Sequence, residues 1–506
     1  MRHKYRGLIR IVTVGLISIA QLVMLAVFVI LLRQNYIYLY FALELIGLIE
    51  VLFLANKNQG SAYTIAWVII ILILPVFGIV LYLIWGRTPT HSRKSKRTRE
   101  IVSRGFSYLG KNGKVREDIE KSFPERKRIV RYLEEEGFPV YENTVCRYYP
   151  LGEFKFRDMI RDMKQAKRFI FIEYFIIDDG ILWSTIYEVI KEKVREGVEV
   201  RVLYDDLGSI VTVLNHFVKQ LENDGIKVTA FNPVHKYISR FYLNFRNHQK
   251  IVVIDGNIGY TGGANLADEY ANLYEKHGHW KDTAIRLEGE AVWSLTVTFL
   301  QLWQSENLVE EDYSKYRPTT GIKGDGYYQP FSDSPVSGKN IAEIMYRQVI
   351  SSARKYVYIT TPYLVIDDTM INELCLAALT GTDVRIITPK VYDKWYVYMV
   401  TCSNYRRLLE AGVRIFEYTP GYMHAKMIIS DDDNAIIGSI NMDYRSFYLH
   451  FENGVWICGS PVIQDIKEDI LRTMAQCEEI KLEKWNERPW YKKVGELFFR
   501  IFAPLL

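Results

Sequence analysis

One pattern occurs twice in the chain, as Asn247-His-Gln-Lys-Ile-Val-Val-Ile-Asp255 followed by Gly262-Gly-Ala-Asn265, and as His424-Ala-Lys-Met-Ile-Ile-Ser-Asp431 followed by Gly438-Ser-Ile-Asn441. The common form is His-x-Lys, four residues, Asp, six residues, then Gly-[Gly/Ser]-x-Asn. Five fixed positions agree by chance about once in ten million starting points. Two copies in one chain therefore indicate an internal duplication.

Other stretches repeat in the same order: Ala166–Asp179 with Ala353–Asp368, Gly197–Leu203 with Gly381–Ile387, and Gly225–Val228 with Gly412–Ile415. In the last two pairs a glycine ends a helix and opens a strand, which is typical of α/β units. Such alternation predicts a mixed sheet flanked by helices on both faces. We expect an α/β fold made of duplicated domains, 140–320 and 321–506, with a pseudo-two-fold axis and a cleft between them.

The paired His and Lys side chains carry the predicted chemistry. His248 and Lys250, like His424 and Lys426, are two residues apart, so in a strand both side chains project from one face. Two imidazoles and two ammonium groups suit a phosphodiester, because the lysines neutralise charge that builds on the phosphoryl oxygens. One imidazole would attack phosphorus, and the other would protonate the leaving alkoxide and later deprotonate the incoming hydroxyl.

Each motif also contains an aspartate, Asp255 or Asp431, which we count among the catalytic candidates. The apolar run before each one reads as a buried strand that ends in a turn. One histidine has to be neutral while the other is protonated, and neighbouring carboxylates would be needed to fix their tautomers. The sequence leaves open whether these two aspartates do so or brace the strand ends.

The turn after each motif supplies the candidate substrate-binding residues. Glycine lets the backbone approach a ligand closely, and Gly263 occupies that position in the first copy. Ser439, in the second copy, offers a hydroxyl, and Asn265 and Asn441 offer amides. We expect all four to contact the phosphodiester.

The remaining histidines are interpreted as packed or surface residues, because a lone histidine near a strand rarely has a chemical role. They are His3, His91, His216, His235, His277, His279 and His450.

Three apolar runs occupy the N-terminal region. Ile11–Leu32 and Ala62–Trp85 are each long enough, as helices, to span a hydrocarbon core of about 30 Å. Tyr36–Leu54 is weakened by Glu44 and Glu50, so it could instead lie in the interface. Residues 1–86 are thus predicted to form a membrane region with two or three transmembrane helices.

Residues 87–139 are predicted to be a basic linker and connecting segment. Its first part carries Arg87, Arg93, Lys94, Lys96, Arg97 and Arg99 without an acid between them. This stretch either attracts anionic head groups or only sets membrane orientation.

Composition excludes several classes of protein. Hydrophobic residues make up 49% of the 506 residues, so a large core is expected and disorder is not. The formal charge of +5 is too small to indicate a nucleic-acid partner. The five cysteines lack metal-ligand spacing, so neither a zinc site nor a disulfide scaffold is expected.

The paired His-Lys-Asp motifs resemble those of the phospholipase D superfamily, and the chain is similar to the bacterial cardiolipin synthases from about residue 36 onward. This closer resemblance rests on Ala62–Arg87, Asn265–Tyr270, Trp280–Thr283, Asn441–Phe447, Glu452 and Arg500–Leu506. It departs at Ala284, where a histidine is common, and at His450, where an asparagine is common.

The resemblance implies that two phosphatidylglycerol molecules give cardiolipin and glycerol through a phosphohistidine, without metal or cofactor. It implies His248 as nucleophile and His424 as general acid/base, although the symmetric pattern leaves that assignment open. It also implies a multi-pass protein of the bacterial cell membrane that meets phosphatidylglycerol and other anionic phospholipids, with no nucleic acid. The oligomeric state stays open.

A membrane-anchored phospholipase D-type phosphodiesterase, in which water accepts the phosphatidyl group, uses the same two histidines. The motifs do not distinguish the two reactions.

Overall fold

The computed structural model describes residues 36–55, 61–82, 92–213, 215–234 and 244–505, with the single positions 23, 26, 27, 30, 31 and 86. The predicted span Ile11–Leu32 therefore lies almost wholly outside the described residues, as does the start of the basic segment.

The described N-terminal part is helical, with α1 (Ile37–Ala55), α2 (Ser61–Ile73) and α3 (Pro75–Leu81). The run Ala62–Trp85 is divided because Leu74 leaves the helical region, at φ −129° and ψ 71°, and Pro75 starts a new helix. Proline suits the first turn of a helix, where its missing N–H is not needed. Of the described helices, none combines the length and the apolar character needed to cross a membrane.

The basic segment is folded where it is described. It forms α4 (Arg93–Phe106), α5 (Gly113–Ser122) and α6 (Lys127–Glu135). The first of these packs on the α/β part, where the amide of Gln301 donates to the carbonyl of Val102 at 2.9 Å.

The first half contains, in chain order, β1 (Thr144–Tyr149), α7 (Gly152–Lys164), β2 (Phe169–Tyr174), α8 (Ile181–Arg195), β3 (Glu199–Asp205), α9 (Asn215–Asn223), β4 (Lys227–Phe231), β5 (Arg246–Asn247), β6 (Ile251–Ile254), β7 (Ile258–Gly262), β8 (Ala284–Gly289) and α10 (Val292–Asn307). All except β5 among these strands form one sheet, in the order β1-β8-β7-β6-β2-β3-β4. β2, β3 and β4 are parallel, whereas β6 runs antiparallel to β2. The sheet is mixed, as predicted.

The second half contains β9 (Tyr327–Asp333), α11 (Ile341–Ser351), β10 (Tyr356–Thr360), β11 (Leu364–Val365), α12 (Asp368–Leu379), β12 (Asp383–Pro389), α13 (Trp395–Glu410), β13 (Arg414–Tyr418), β14 (Met427–Ser430), β15 (Asn434–Gly438), β16 (Met442–Asp443), α14 (Tyr444–Tyr448), β17 (His450–Cys458), α15 (Val462–Met474), β18 (Cys477–Ile480), α16 (Leu482–Asn486) and α17 (Trp490–Phe502). Its main sheet has the order β9-β17-β15-β14-β10-β12-β13-β18.

The two sheet orders match strand for strand, apart from β18 at one edge. β10, β12 and β13 are parallel and β14 is antiparallel to β10, as in the first half. The duplication inferred from the repeated pattern is thus present in the topology.

The halves share one core. Phe299 of α10 stacks on Phe171 of the first sheet, with ring centroids 4.6 Å apart, and the same apolar cluster includes Tyr358 and Met427 of the second sheet. At one edge β5 pairs in parallel with the start of β17. This pairing, which we call the seam, places Arg246 and Asn247, just before His248, beside His450 and Phe451, just before Glu452.

Candidate active site

Both motif histidines line one cavity of about 580 Å³ between the halves. His248 lies between β5 and β6, and His424 lies between β13 and β14. The wall is rich in aromatic rings: Phe175 lies 5.1 Å from His248, and Tyr270 lies 5.2 Å from His424, between ring centroids. The two motifs therefore form one shared cavity.

His248 is paired with a carboxylate from the second half. The Oε1 and Oε2 atoms of Glu452 lie 2.8 and 3.1 Å from its Nδ1 atom. Glu452 is fully buried and also accepts hydrogen bonds from the hydroxyls of Ser439 and Ser446. Although burial alone would raise its pKa, His248 holds the pKa of this carboxyl well below its usual range. Glu452 is ionised and accepts, so Nδ1–H donates and Nε2 keeps its lone pair.

His424 is paired in the same way with a carboxylate from the first half. Its Nδ1 atom lies 2.5 Å from Oδ2 of Asp282, just before β8. The ammonium of Lys426 lies 2.9 Å from the same nitrogen. His424 therefore faces a carboxylate and an ammonium together.

The main chain makes the same kind of reciprocal contact, in which each histidine bonds to the opposite half. The N–H of His248 donates to the carbonyl of Phe451, the residue before Glu452, at 2.9 Å. The N–H of His424 donates to the carbonyl of Lys281, the residue before Asp282, at 2.8 Å. Backbone and side chain thus bind each histidine to the opposite half.

The two motif lysines are buried behind their histidines. The ammonium of Lys250 donates to the carbonyl of His248 at 2.5 Å, and Lys426 makes the equivalent bond to His424. Burial lowers the pKa of Lys250 to about 7 and that of Lys426 to about 8. An anion in the cavity would favour the charged form of both.

Burial favours the neutral form of both imidazoles. Burial lowers the pKa of His248 to about 3, although Glu452 opposes the shift. Burial and Lys426 lower the pKa of His424 to about 4. A neutral imidazole is the form that can attack phosphorus.

The motif aspartates contact the backbone, not the histidines. The carboxylate of Asp255 accepts from the N–H groups of residues 167–169, at the start of β2, and that of Asp431 accepts from residues 354–356, at the start of β10. Asp431 also bonds the buried guanidinium of Arg126 at 3.1 Å. Both aspartates have φ +55°, as expected in the turn that ends each strand. The geometry gives them a bracing role.

The four turn residues divide into two groups. Asn265 and Asn441 line the cavity. Gly263 and Ser439 lie behind the carboxylates: a Cβ atom on Gly263 would lie 2.2 Å from Oδ1 of Asp282, so glycine is needed there. Ser439 holds Glu452 through its hydroxyl.

Two of the histidines interpreted as packed or surface residues, His277 and His450, line the cavity, and the ring of His450 lies 5.6 Å from that of His248. Ligand atoms of His248, His450 and Glu452 lie within 4.8 Å of one another, so among the described residues this group could hold a metal ion. Glu452 already accepts from His248 and two serines, which leaves it few lone pairs for a cation.

Glu452 and Asp282 have no role predicted from the sequence, although both lie in stretches that support the family resemblance. That resemblance is the signal by which they could have been found. Their contacts with the histidines join different halves, so spacing along the chain does not reveal them.

Comparison with known proteins agrees with this geometry. The family model described as "Cardiolipin synthase, PLD-like domain" matches residues 159–303 and 346–474, and "Phospholipase_D-nuclease N-terminal" matches residues 42–87. An uncharacterized protein of Streptococcus mutans is 39% identical over 90% of this chain and 99% of its own length. Cardiolipin synthase 2 of Bacillus cereus is 34% identical over 90% and 89%.

A solved structure extends the comparison to the fold. Phosphatidylserine synthase of Haemophilus influenzae superposes with a TM-score of 0.57 at 16% identity, covering 74% of this chain and 97% of its own. This likeness shows the duplicated phospholipase D-like α/β fold alone.

The fold and the paired motifs define a phospholipase D-like phosphatidyltransferase. Within that class, the chain belongs to the cardiolipin synthase family. The family resemblance drawn from the sequence is confirmed.

Proposed function

We propose that the protein joins two phosphatidylglycerol molecules into cardiolipin and glycerol, through a phosphatidyl group held on His248. The observation that carries this proposal is the single cavity in which two neutral imidazoles are each backed by a carboxylate from the opposite half. The choice of phosphatidylglycerol follows the cardiolipin synthase family.

In the first step, Nε2 of His248 forms a bond to phosphorus as the bond from phosphorus to the glycerol oxygen breaks. Glu452 stabilises the positive charge that develops on the ring, as a buried carboxylate does for an attacking or proton-accepting histidine. His424 gives its proton to the departing glycerol. The phosphodiester anion and Asp282 raise the pKa of His424 in the complex, so that it can hold that proton.

In the second step, a hydroxyl of a second phosphatidylglycerol loses its proton to His424 and attacks phosphorus. The bond from phosphorus to His248 breaks, and cardiolipin leaves. Lys250 and Lys426 offset charge on the phosphoryl oxygens in both steps. Asn265 and Asn441 orient the phosphodiester, while Gly263 and Ser439 act indirectly by positioning the carboxylates.

Aromatic rings support transfer over hydrolysis. Trp280 and Tyr422 each lie 5.7 Å from His424, between ring centroids. They narrow the space beside His424, which activates the incoming hydroxyl, so a bound lipid alcohol competes well with water there.

We further propose that residues 1–86 hold the chain at the bacterial cell membrane with two or three spans, and that the two catalytic domains are 140–320 and 321–506. Apolar composition of the first region and the repeated topology support this division.

The test uses the purified full chain with radiolabelled phosphatidylglycerol and separates products by thin-layer chromatography. A four-chain lipid with an equal amount of released glycerol is expected. Phosphatidic acid as the only lipid product would refute transfer and favour the phosphodiesterase.

A further inference from the structure

The helix α17, near the end of the chain, carries an exposed apolar face. Its six members are between 38% and 75% exposed: Trp490, Tyr491, Val494, Leu497, Phe498 and Ile501. At 100° per residue they fall within an arc of about 120°, which is the pattern of an amphipathic helix. Soluble proteins rarely expose so many large apolar side chains together.

The opposite face of α17 is fixed to the protein. Phe499 packs edge-on against Trp395, with ring centroids 5.1 Å apart. Glu496 binds the guanidinium of Arg488 through two bonds of 2.6 and 3.0 Å. A Cβ atom on Gly495 would lie 2.8 Å from the end of Met399. The orientation of the exposed face is therefore set by packing.

This packing brings α17 to the rim of the active-site cavity. The helix lies on α13, and Tyr396 and Val397, in the first turn of α13, line the cavity. Trp395, between α17 and this rim, is itself 57% exposed. The apolar face thus begins close to where a substrate would enter.

The apolar surface continues onto the N-terminal helices. α2 contacts α17, and its Ile65, Leu72 and Ile73 are 56%, 57% and 71% exposed. Leu505, just beyond α17, packs on the cluster that contains Trp67. Exposed apolar side chains are therefore present on both α17 and the neighbouring helix α2.

Charge and composition indicate what covers this surface. Lys493 and Arg500 border one side of the apolar arc of α17, and both are exposed. Basic side chains beside an aromatic-rich apolar face are typical of helices that lie in the head-group layer of an anionic bilayer. An anionic phospholipid is also the substrate of the proposed reaction.

We infer that α17 lies in the head-group layer of an anionic bilayer, with its apolar face in the lipid, and holds the cavity rim at the membrane surface. This inference rests on the proposed function and adds a second lipid contact to the N-terminal region. Lipid tails would leave the cavity along this face without crossing water.

A direct test measures tryptophan fluorescence of the full chain in phosphatidylglycerol vesicles whose acyl chains carry bromine. Subtracting the signal of a Trp490→Phe variant isolates Trp490. The inference predicts that Trp490 is quenched by lipid brominated near the head group. An unquenched Trp490 overturns it, and a concentration-dependent dimer would then identify a second copy as the cover.

A kinetic test uses the double variant Leu497→Glu/Phe498→Glu. Activity toward bilayer phosphatidylglycerol should fall at least tenfold, whereas activity toward short-chain phosphatidylglycerol dispersed in detergent should stay within about twofold. The detergent assay also reports whether the variant is folded. Equal activity in both assays would contradict the inference.

The matched control is Val309→Glu. Val309 is 66% exposed and lies near Glu311, which binds Arg201 close to the start of β3. The cavity lies beyond the opposite ends of β2 and β3, so this charge should leave both activities unchanged. If wild-type protein makes no cardiolipin in either assay, the proposed function fails, and quenching of Trp490 still decides the inference.

Discussion

Glu452 and His248 are separated by 204 residues, yet the carboxylate of one lies 2.8 Å from the imidazole of the other. Replacing Glu452 with Gln should lower kcat about a hundredfold or more, because the amide no longer stabilises the imidazolium-like transition state. The rate of phosphohistidine formation, measured by rapid quench in an alkaline denaturant because the P–N bond is acid-labile, checks this. Glu343→Gln is the control, since that buried carboxyl binds Tyr448 and should change the rate little. Equal losses in both variants would point to a general structural effect.

The roles of the two histidines can be separated with a phosphodiester that releases nitrophenolate, which needs little protonation as it leaves. His424→Ala should release one nitrophenolate per enzyme and retain the phosphatidyl group on His248. His248→Ala should show no burst. Absorbance and mass spectrometry of the labelled peptide provide the readout. A burst from His248→Ala would exchange the two roles.

The pH dependence should reflect the buried lysines. Lys250 and Lys426 have pKa values lowered to about 7 and about 8, so they lose charge as pH rises through that range. Because an anionic substrate needs that charge, kcat/KM should fall above about pH 7–8. Lys426→Arg should move part of the fall to higher pH, since arginine stays protonated. Acid down to about pH 5 should not lower kcat/KM, because His248 stays neutral above its pKa of about 3 and a lower pH favours the protonated form of His424, whose pKa is about 4. A profile that rises with pH would contradict this account.

The motif aspartates should affect stability more than chemistry. Asp431→Asn and Asp255→Asn each weaken backbone hydrogen bonds, which should cost about 1–3 kcal/mol of unfolding free energy. Asp431→Asn should cost more, because Arg126 is buried and loses a charged partner. Thermal unfolding measures the loss, and activity per folded molecule should stay within a few-fold. Full inactivation of a folded Asp255→Asn enzyme would restore its assignment to the chemistry.

The proposed reaction uses no metal, so a chelator should leave the rate of cardiolipin formation unchanged. The assay compares protein with and without EDTA at fixed ionic strength. Restoration of a chelator-inhibited enzyme by a divalent ion would assign a cation to the group of His248, His450 and Glu452.

Much of the fold followed from local patterns. Glycine-punctuated strands and the repeated motif predicted the duplicated mixed sheets, because each strand is short, buried and bounded by its own turn signals. His248 and His424 were found in the same way, since the motif repeats as a continuous stretch. These predictions needed no knowledge of how the halves meet.

Predicting the partners of those histidines, in contrast, requires knowing how the two halves pack together. Glu452 and Asp282 lie outside both motifs, and only packing between the halves brings them to the imidazoles. Likewise, composition predicts one apolar run at Ala62–Trp85, whereas the backbone at Leu74 breaks it into two helices. The hydrophobic periodicity of a sequence does not encode contacts between distant segments or the backbone angles of a single residue.

The reciprocal pairing of the halves has a consequence for motion. A hinge that separated them would remove Glu452 from His248 and Asp282 from His424 at the same moment, and would cut the backbone bonds of both histidines to Phe451 and Lys281. Opening between the halves would therefore take the site apart. We expect lipid exchange to take place while the halves stay in contact.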